Sequence, residues 1–225
     1  MAVESPSQAA SALIRTLPAR LLGQLIPLFA KLVTGVRADW RGCLPAPRQR
    51  IYFANHASHG DFVLIWTVLP PVLRATTRPV AAADYWDKPG LPRFIGRNVF
   101  NALMIDRNPA PGAPHPVDLM AAALKQGASL ILFPEGTRNT TDEPLLPFRS
   151  GLYHLAKAAP DVELVPVWID NISRVMPKGE MLPIPLLCGV IFGEPVAPRP
   201  DEGKDAFLTR AREALLALRP KEGRV

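Results

Sequence analysis

The chain has 225 residues and carries 26 Lys and Arg against 20 Asp and Glu, a net charge of +6, with a sequence pI near 9.7. That length suits one domain with a full-sized core, and its two cysteines, Cys43 and Cys188, are too few for a disulfide scaffold and point to a reducing compartment. The positive balance favours anionic partners; nucleic acid is set aside, because the arginines are scattered rather than interleaved with aromatics and no nucleic-acid-binding motif appears.

Residues 1–40 read as an N-terminal amphipathic segment and residues 41–225 as an α/β domain. In the first, Leu13, Leu17, Leu21, Leu25, Leu28, Leu32 and Val36 recur at helical spacing, with Arg15, Arg20, Lys31 and Arg37 between them. Pro18 and Pro27 are expected to divide the segment into two short helices, because each proline removes a helix hydrogen bond. The longest uncharged stretch, Leu21 to Ala30, is far short of the ~20 apolar residues that span a bilayer. The order of a secretory signal is absent as well. The stripe fits either packing on the domain's own core or contact with a membrane interface.

The domain then alternates β and α. Strands are expected at 50–54, 78–82, 102–105, 129–133, 164–169 and 187–192, and helices at 62–69, 92–100, 116–125, 150–159 and 205–218. Continuous apolar strands between helices argue a single α/β domain whose largely parallel mixed sheet is covered by helices on both faces. In such sheets the ligand crevice lies beyond the carboxyl ends of the strands.

Two motifs fall at such ends. After Ile51-Tyr52-Phe53-Ala54 comes Asn55-His56-Ala57-Ser58-His59-Gly60-Asp61, which sets an imidazole and a carboxylate five residues apart. In an unbroken helix those positions point about 140° apart. A turn at Gly60, with Asp61 as helix N-cap, lets His56 and Asp61 meet, and an imidazole held by a carboxylate is a device for taking a proton from a hydroxyl. The second motif, Phe133-Pro134-Glu135-Gly136-Thr137-Arg138, follows the apolar run 128–131. A metal reading through His56, His59 and Asp61 finds no further ligand cluster, and no metal is expected.

With Ile105-Asp106-Arg107 between these motifs and Val165-Pro166-Val167 after them, the ordered set resembles the glycerolipid acyltransferase family from about Ile51 to Val196. The resemblance implies that His56 deprotonates an acceptor hydroxyl for attack on an acyl thioester and that Asp61 orients the imidazole. It also implies that Arg107, Glu135, Gly136, Thr137 and Arg138 form the polar floor that receives the acceptor's phosphate. Arginine suits that task through its planar, permanently charged fork. Family members carry glycine six residues before the arginine of the second block, where this chain has Asn101, a residue that tolerates left-handed backbone.

The expected activity is therefore O-acyl transfer to a lysophospholipid, 1-acyl-sn-glycerol-3-phosphate first among acceptors. Acyl-CoA or acyl-ACP serves as cosubstrate, with no resident cofactor. Alternatives are another lysolipid such as a lyso-aminolipid, or a peripheral lipid-binding protein without turnover. The expected partners are the two substrates, a membrane surface and acyl carrier protein, and the expected place is the cytoplasmic face of the membrane, held peripherally.

Overall fold

Strand β2 (Arg50–Ala54) is buried along its whole length, and that fact organises the molecule. Its side chains alternate between two cores: Tyr52 and Ala54 face one, Ile51 and Phe53 the other. Both faces must therefore be covered, and a strand covered on both faces reads as an unbroken apolar run. The computed structural model describes residues 17–58, 60–106, 110, 112–170 and 188–220.

Seven strands form one sheet in the order β1-β7-β6-β2-β5-β3-β4. They are β1 (Arg37–Trp40), β2, β3 (Thr77–Ala82), β4 (Leu103–Ile105), β5 (Ser129–Leu132), β6 (Glu163–Asp170) and β7 (Gly189–Phe192). Strands β6, β2, β5, β3 and β4 pair in parallel. Strand β7 runs antiparallel to β6, and β1 follows β7 in parallel.

One face is covered by α1 (Leu17–Thr34) and α2 (Asp61–Val68). Short α3 (Pro71–Thr76), α4 (Ala83–Trp86) and α5 (Leu91–Phe94) continue that layer, and a π-helical turn (Ile95–Val99) closes it. The other face is covered by α6 (Pro116–Lys125), α7 (Gly151–Ala158) and α8 (Lys204–Leu216), where Met120, Leu155, Phe207 and Leu215 pack on Phe53 and Leu130.

The sequence-based elements stand within a few residues of these, with instructive differences. The helix expected at 92–100 is a short helix that widens into the π turn. Strand β1 and helices α3 and α4 were not expected; β1 is an edge strand whose Trp40 stacks on Phe192 at 3.8 Å. Residues 1–16 of the N-terminal segment fall outside the described residues; residues 17–34 form one helix that runs through Pro27, where a break was expected. Pro18 sits in the first turn of α1, where its missing N–H had no intrahelical partner. Pro27 lies inside α1 and forfeits one hydrogen bond, yet α1 remains continuous because it packs along α2 and the π turn.

The leucine stripe points outward. Leu21, Leu25, Leu28, Phe29 and Leu32 are exposed, Leu32 by 81%, while Ala19, Pro27 and Thr34 are buried. Small side chains let the α1 backbone approach its neighbours; a Cβ at Gly23 would stand 3.9 Å from Val99. Among the described residues no helix is long and apolar enough to cross a membrane.

Candidate active site

The loop after β2 is placed by side chains that reach outside it. Asn55 clamps it to β6 through two hydrogen bonds, its Nδ2 donating to the Ile169 carbonyl at 3.0 Å and its Oδ1 accepting from the Ile169 N–H at 2.7 Å. Glu135, from the loop after β5, accepts the His56 backbone N–H at 2.8 Å. The His56 carbonyl in turn accepts from the Asn139 N–H at 2.6 Å. Three separate strand ends thus fix one histidine.

Within the loop, Asp61 Oδ2 lies 2.8 Å from His56 Nδ1 and accepts the backbone N–H groups of Ala57 at 2.7 Å and Ser58 at 2.9 Å. An oxygen that already accepts two N–H groups is an acceptor to the third partner as well, so the network assigns the hydrogen to Nδ1 and leaves the Nε2 lone pair free. Asp61 is fully buried while the His56 side chain keeps 20% of its surface. The imidazole also stacks on Phe133, centroids 4.1 Å apart, which sets the ring plane. Two details correct the sequence reading. Gly60, not Asp61, is the N-cap of α2, and Gly60 has φ −85°, open to any residue. The carboxylate ties up the preceding loop instead of capping its own helix.

His56 opens on a cavity of about 340 Å³ at the carboxyl ends of β2 to β5, a size in the usual range for small-molecule sites. Its deeper wall is apolar, built from Val80, Ile105, Val117, Met120, Leu132 and Leu155; its polar wall carries His56, His115, Gly136, Arg149 and Ser150.

The residues of the expected phosphate floor divide between the cavity wall and its surroundings. Gly136 lines the cavity with φ +71°, and a Cβ there would overlap the Arg149 side chain. Glu135 is buried, and both its oxygens are taken by backbone, Oε1 by His56 and Oε2 by the Leu146 N–H at 2.8 Å. Burial pushes its carboxyl above the ordinary range, partly opposed by those two bonds. Glu135 thus braces the loop that carries His56 against the loop around Leu146. Thr137 and Arg138 are exposed and are not among the residues of the cavity wall. Arg107 and His59 lie outside the described residues. Asn101 adopts φ +50°, the left-handed backbone its side chain tolerates. Among the described residues no group of three or more His, Cys, Asp or Glu is placed to hold a metal ion.

Arg149 was missed by the sequence reading. It sits just before α7, at the end where a helix dipole disfavours a cation, and that misplacement was the available signal. Among the described residues no carboxylate pairs with its guanidinium.

A family model described as Acyltransferase matches residues 41–170. The 1-acyl-sn-glycerol-3-phosphate acyltransferase of Limnanthes alba is 30% identical over 170 residues, covering 74% of this chain and 57% of that protein. The enzyme of that name from Salmonella typhimurium is 30% identical over 163 residues, 68% of this chain and 59% of the relative. The chain thus spans less than two thirds of the length of these curated relatives. The crystal structure of the 1-acyl-sn-glycerophosphate acyltransferase PlsC from Thermotoga maritima shares the fold with TM-score 0.67 at 22% identity, covering 94% of this chain and 85% of that one.

Proposed function

The chain belongs to the acyltransferase family, and from that membership we propose that it transfers a fatty acyl group from an acyl thioester to the free hydroxyl of a lysophospholipid. 1-Acyl-sn-glycerol-3-phosphate is the first choice of acceptor, because the relatives carry that substrate in their names. One observation carries the mechanism: His56 Nδ1 is engaged by buried Asp61 while the ring borders the cavity.

In the proposed reaction Nε2 takes the acceptor's hydroxyl proton as the oxygen attacks the thioester carbonyl. The tetrahedral oxyanion collapses, the C–S bond breaks, and the departing thiolate receives the proton from the imidazolium, whose charge Asp61 stabilises meanwhile. A thioester is already activated, so the reading calls for no resident metal or prosthetic group. The apolar wall suits an acyl chain. Arg149 suits the acceptor's phosphate, joined in this proposal by Gly136, Thr137, Arg138 and Arg107, with a guanidinium fork matching phosphate oxygens. The donor is acyl-CoA or acyl-ACP, both of which present a thioester.

The outward leucines of α1 support a peripheral place at the membrane surface, with the helix lying in the headgroup layer; the proposal puts that surface on the cytoplasmic side, where the two free cysteines, Cys43 and Cys188, stay reduced. The test of the reaction is thiol release from acyl-CoA and from acyl-ACP. The acceptor panel is lysophosphatidic acid, lysophosphatidylcholine, a lyso-aminolipid and monoacylglycerol. Release stimulated most by lysophosphatidic acid is expected; no stimulation by any acceptor sinks the proposal.

A further inference from the structure

Around its axis α1 has three sectors. One is buried against the domain, through Ala19, Pro27 and Thr34, and one is the exposed row Leu21, Leu25, Leu28, Phe29 and Leu32. Between them, at spacings that keep one line along a helix, stand Arg20, Gln24 and Lys31. This line forms one wall of a groove of about 550 Å³ whose other wall is Trp66 with Pro71, Arg74 and Ala75 of α3. Among the described residues, the groove and the His56 cavity share no lining residue, and no carboxylate lines the groove.

Three cations therefore border one groove. The Arg74 guanidinium lies 5.0 Å over the Trp66 ring, and burial pushes its pKa below the ordinary arginine value. Among the described residues no carboxylate pairs with Arg20, Lys31 or Arg74. A half-buried cation without a counter-charge is costly unless an anion completes it.

We infer that this groove is a headgroup site for an anionic bilayer phospholipid, its phosphate held by the Arg74 fork with Arg20 and Lys31 while the neighbouring leucine face enters the acyl layer. An acidic protein docked on the same cations would leave that apolar face in water; a lipid surface satisfies both sectors at once. The inference rests on the membrane-surface part of the proposed function and names the lipid class that part requires.

Co-sedimentation of the full chain with vesicles of phosphatidylcholine, with or without phosphatidylglycerol, reads the site. Arg74→Ala is expected to weaken binding to phosphatidylglycerol vesicles about fivefold at low salt and to leave binding to phosphatidylcholine unchanged. Arg20→Ala and Lys31→Ala, on exposed side chains that the fold does not need, give losses of similar size. Arg74→Lys restores part, since the charge remains and the fork is lost. Lys125→Ala, on α6 across the sheet, is the control. An equal loss in that control, or wild-type binding by all three groove variants, overturns the site. So does a loss of binding to acyl carrier protein with vesicle binding intact, which makes the groove a protein dock. Vesicle binding is read without turnover, so a chain inactive toward every acceptor fails the proposed reaction and leaves this result standing.

Discussion

The loop from Asn55 to Asp61 is held by polar side chains that reach other strand ends, whereas α1 is held by small side chains and turns its largest apolar ones outward. In the loop, displacing one group strands another, so position is over-determined. On α1, the outward residues touch little of the fold, and their loss costs it little. The first arrangement suits a group whose nitrogen must be placed to a fraction of an ångström. The second suits a surface that meets something other than its own core.

Five variants, one of them read at two pH values, set the regions apart, in order of effect. His56→Ala is expected to lower acyl-transfer turnover by about 10²- to 10⁴-fold with only a modest fall in the thermal midpoint, since the ring is partly exposed and Asp61 keeps the N–H groups of Ala57 and Ser58. Arg149→Ala is expected to raise the acceptor KM about tenfold or more, the loss of a charged hydrogen bond, with the thioester KM nearly constant. Steady-state assays varying one substrate at a time decide it, and equal rises in both would deny Arg149 the phosphate.

Glu135→Ala leaves the His56 and Leu146 N–H groups without their acceptor, at about 1–3 kcal/mol each. Thermal denaturation should show a drop of several degrees, with turnover falling alongside it. The double change Leu25→Ser and Phe29→Ser should alter stability by no more than about 0.5 kcal/mol per site while abolishing vesicle binding; a protein that unfolds instead would make the stripe part of the core.

The smallest effect is on the far layer. Arg210 holds the Glu202 carboxyl down at about 2, below an unfolded value of about 4.3. A depressed carboxylate stabilises the fold above its unfolded pKa and loses that contribution as pH falls toward the folded one. Glu202→Gln should therefore lower the melting temperature slightly at pH 7 and by less as pH falls toward 2.

The contrast also explains what was legible in the sequence. His56 and Asp61 pair across five residues, so residue type and spacing sufficed. Strands β2, β5 and β6 were legible because burial on both faces writes an unbroken apolar run. Glu135 was found as a motif residue, but its bond to the His56 N–H was not legible, because the two lie 79 positions apart. Arg149 escaped because the contact that places it against Gly136 is likewise tertiary. On α1 the leucine period announced a helix without saying which face meets the core; close packing through Ala19 and Gly23 reversed the usual choice. Pro27 misled for the same reason, since tertiary packing outweighed one lost hydrogen bond.

The central claim is that His56 and Asp61 act as one base. A double-mutant cycle tests it most directly: kcat/KM for acyl transfer in wild type, His56→Ala, Asp61→Asn and the double variant. Groups that act as a unit are not additive, so the double variant should be no slower than His56→Ala alone. Losses that multiply would separate the two residues, and wild-type turnover in His56→Ala would contradict the account outright.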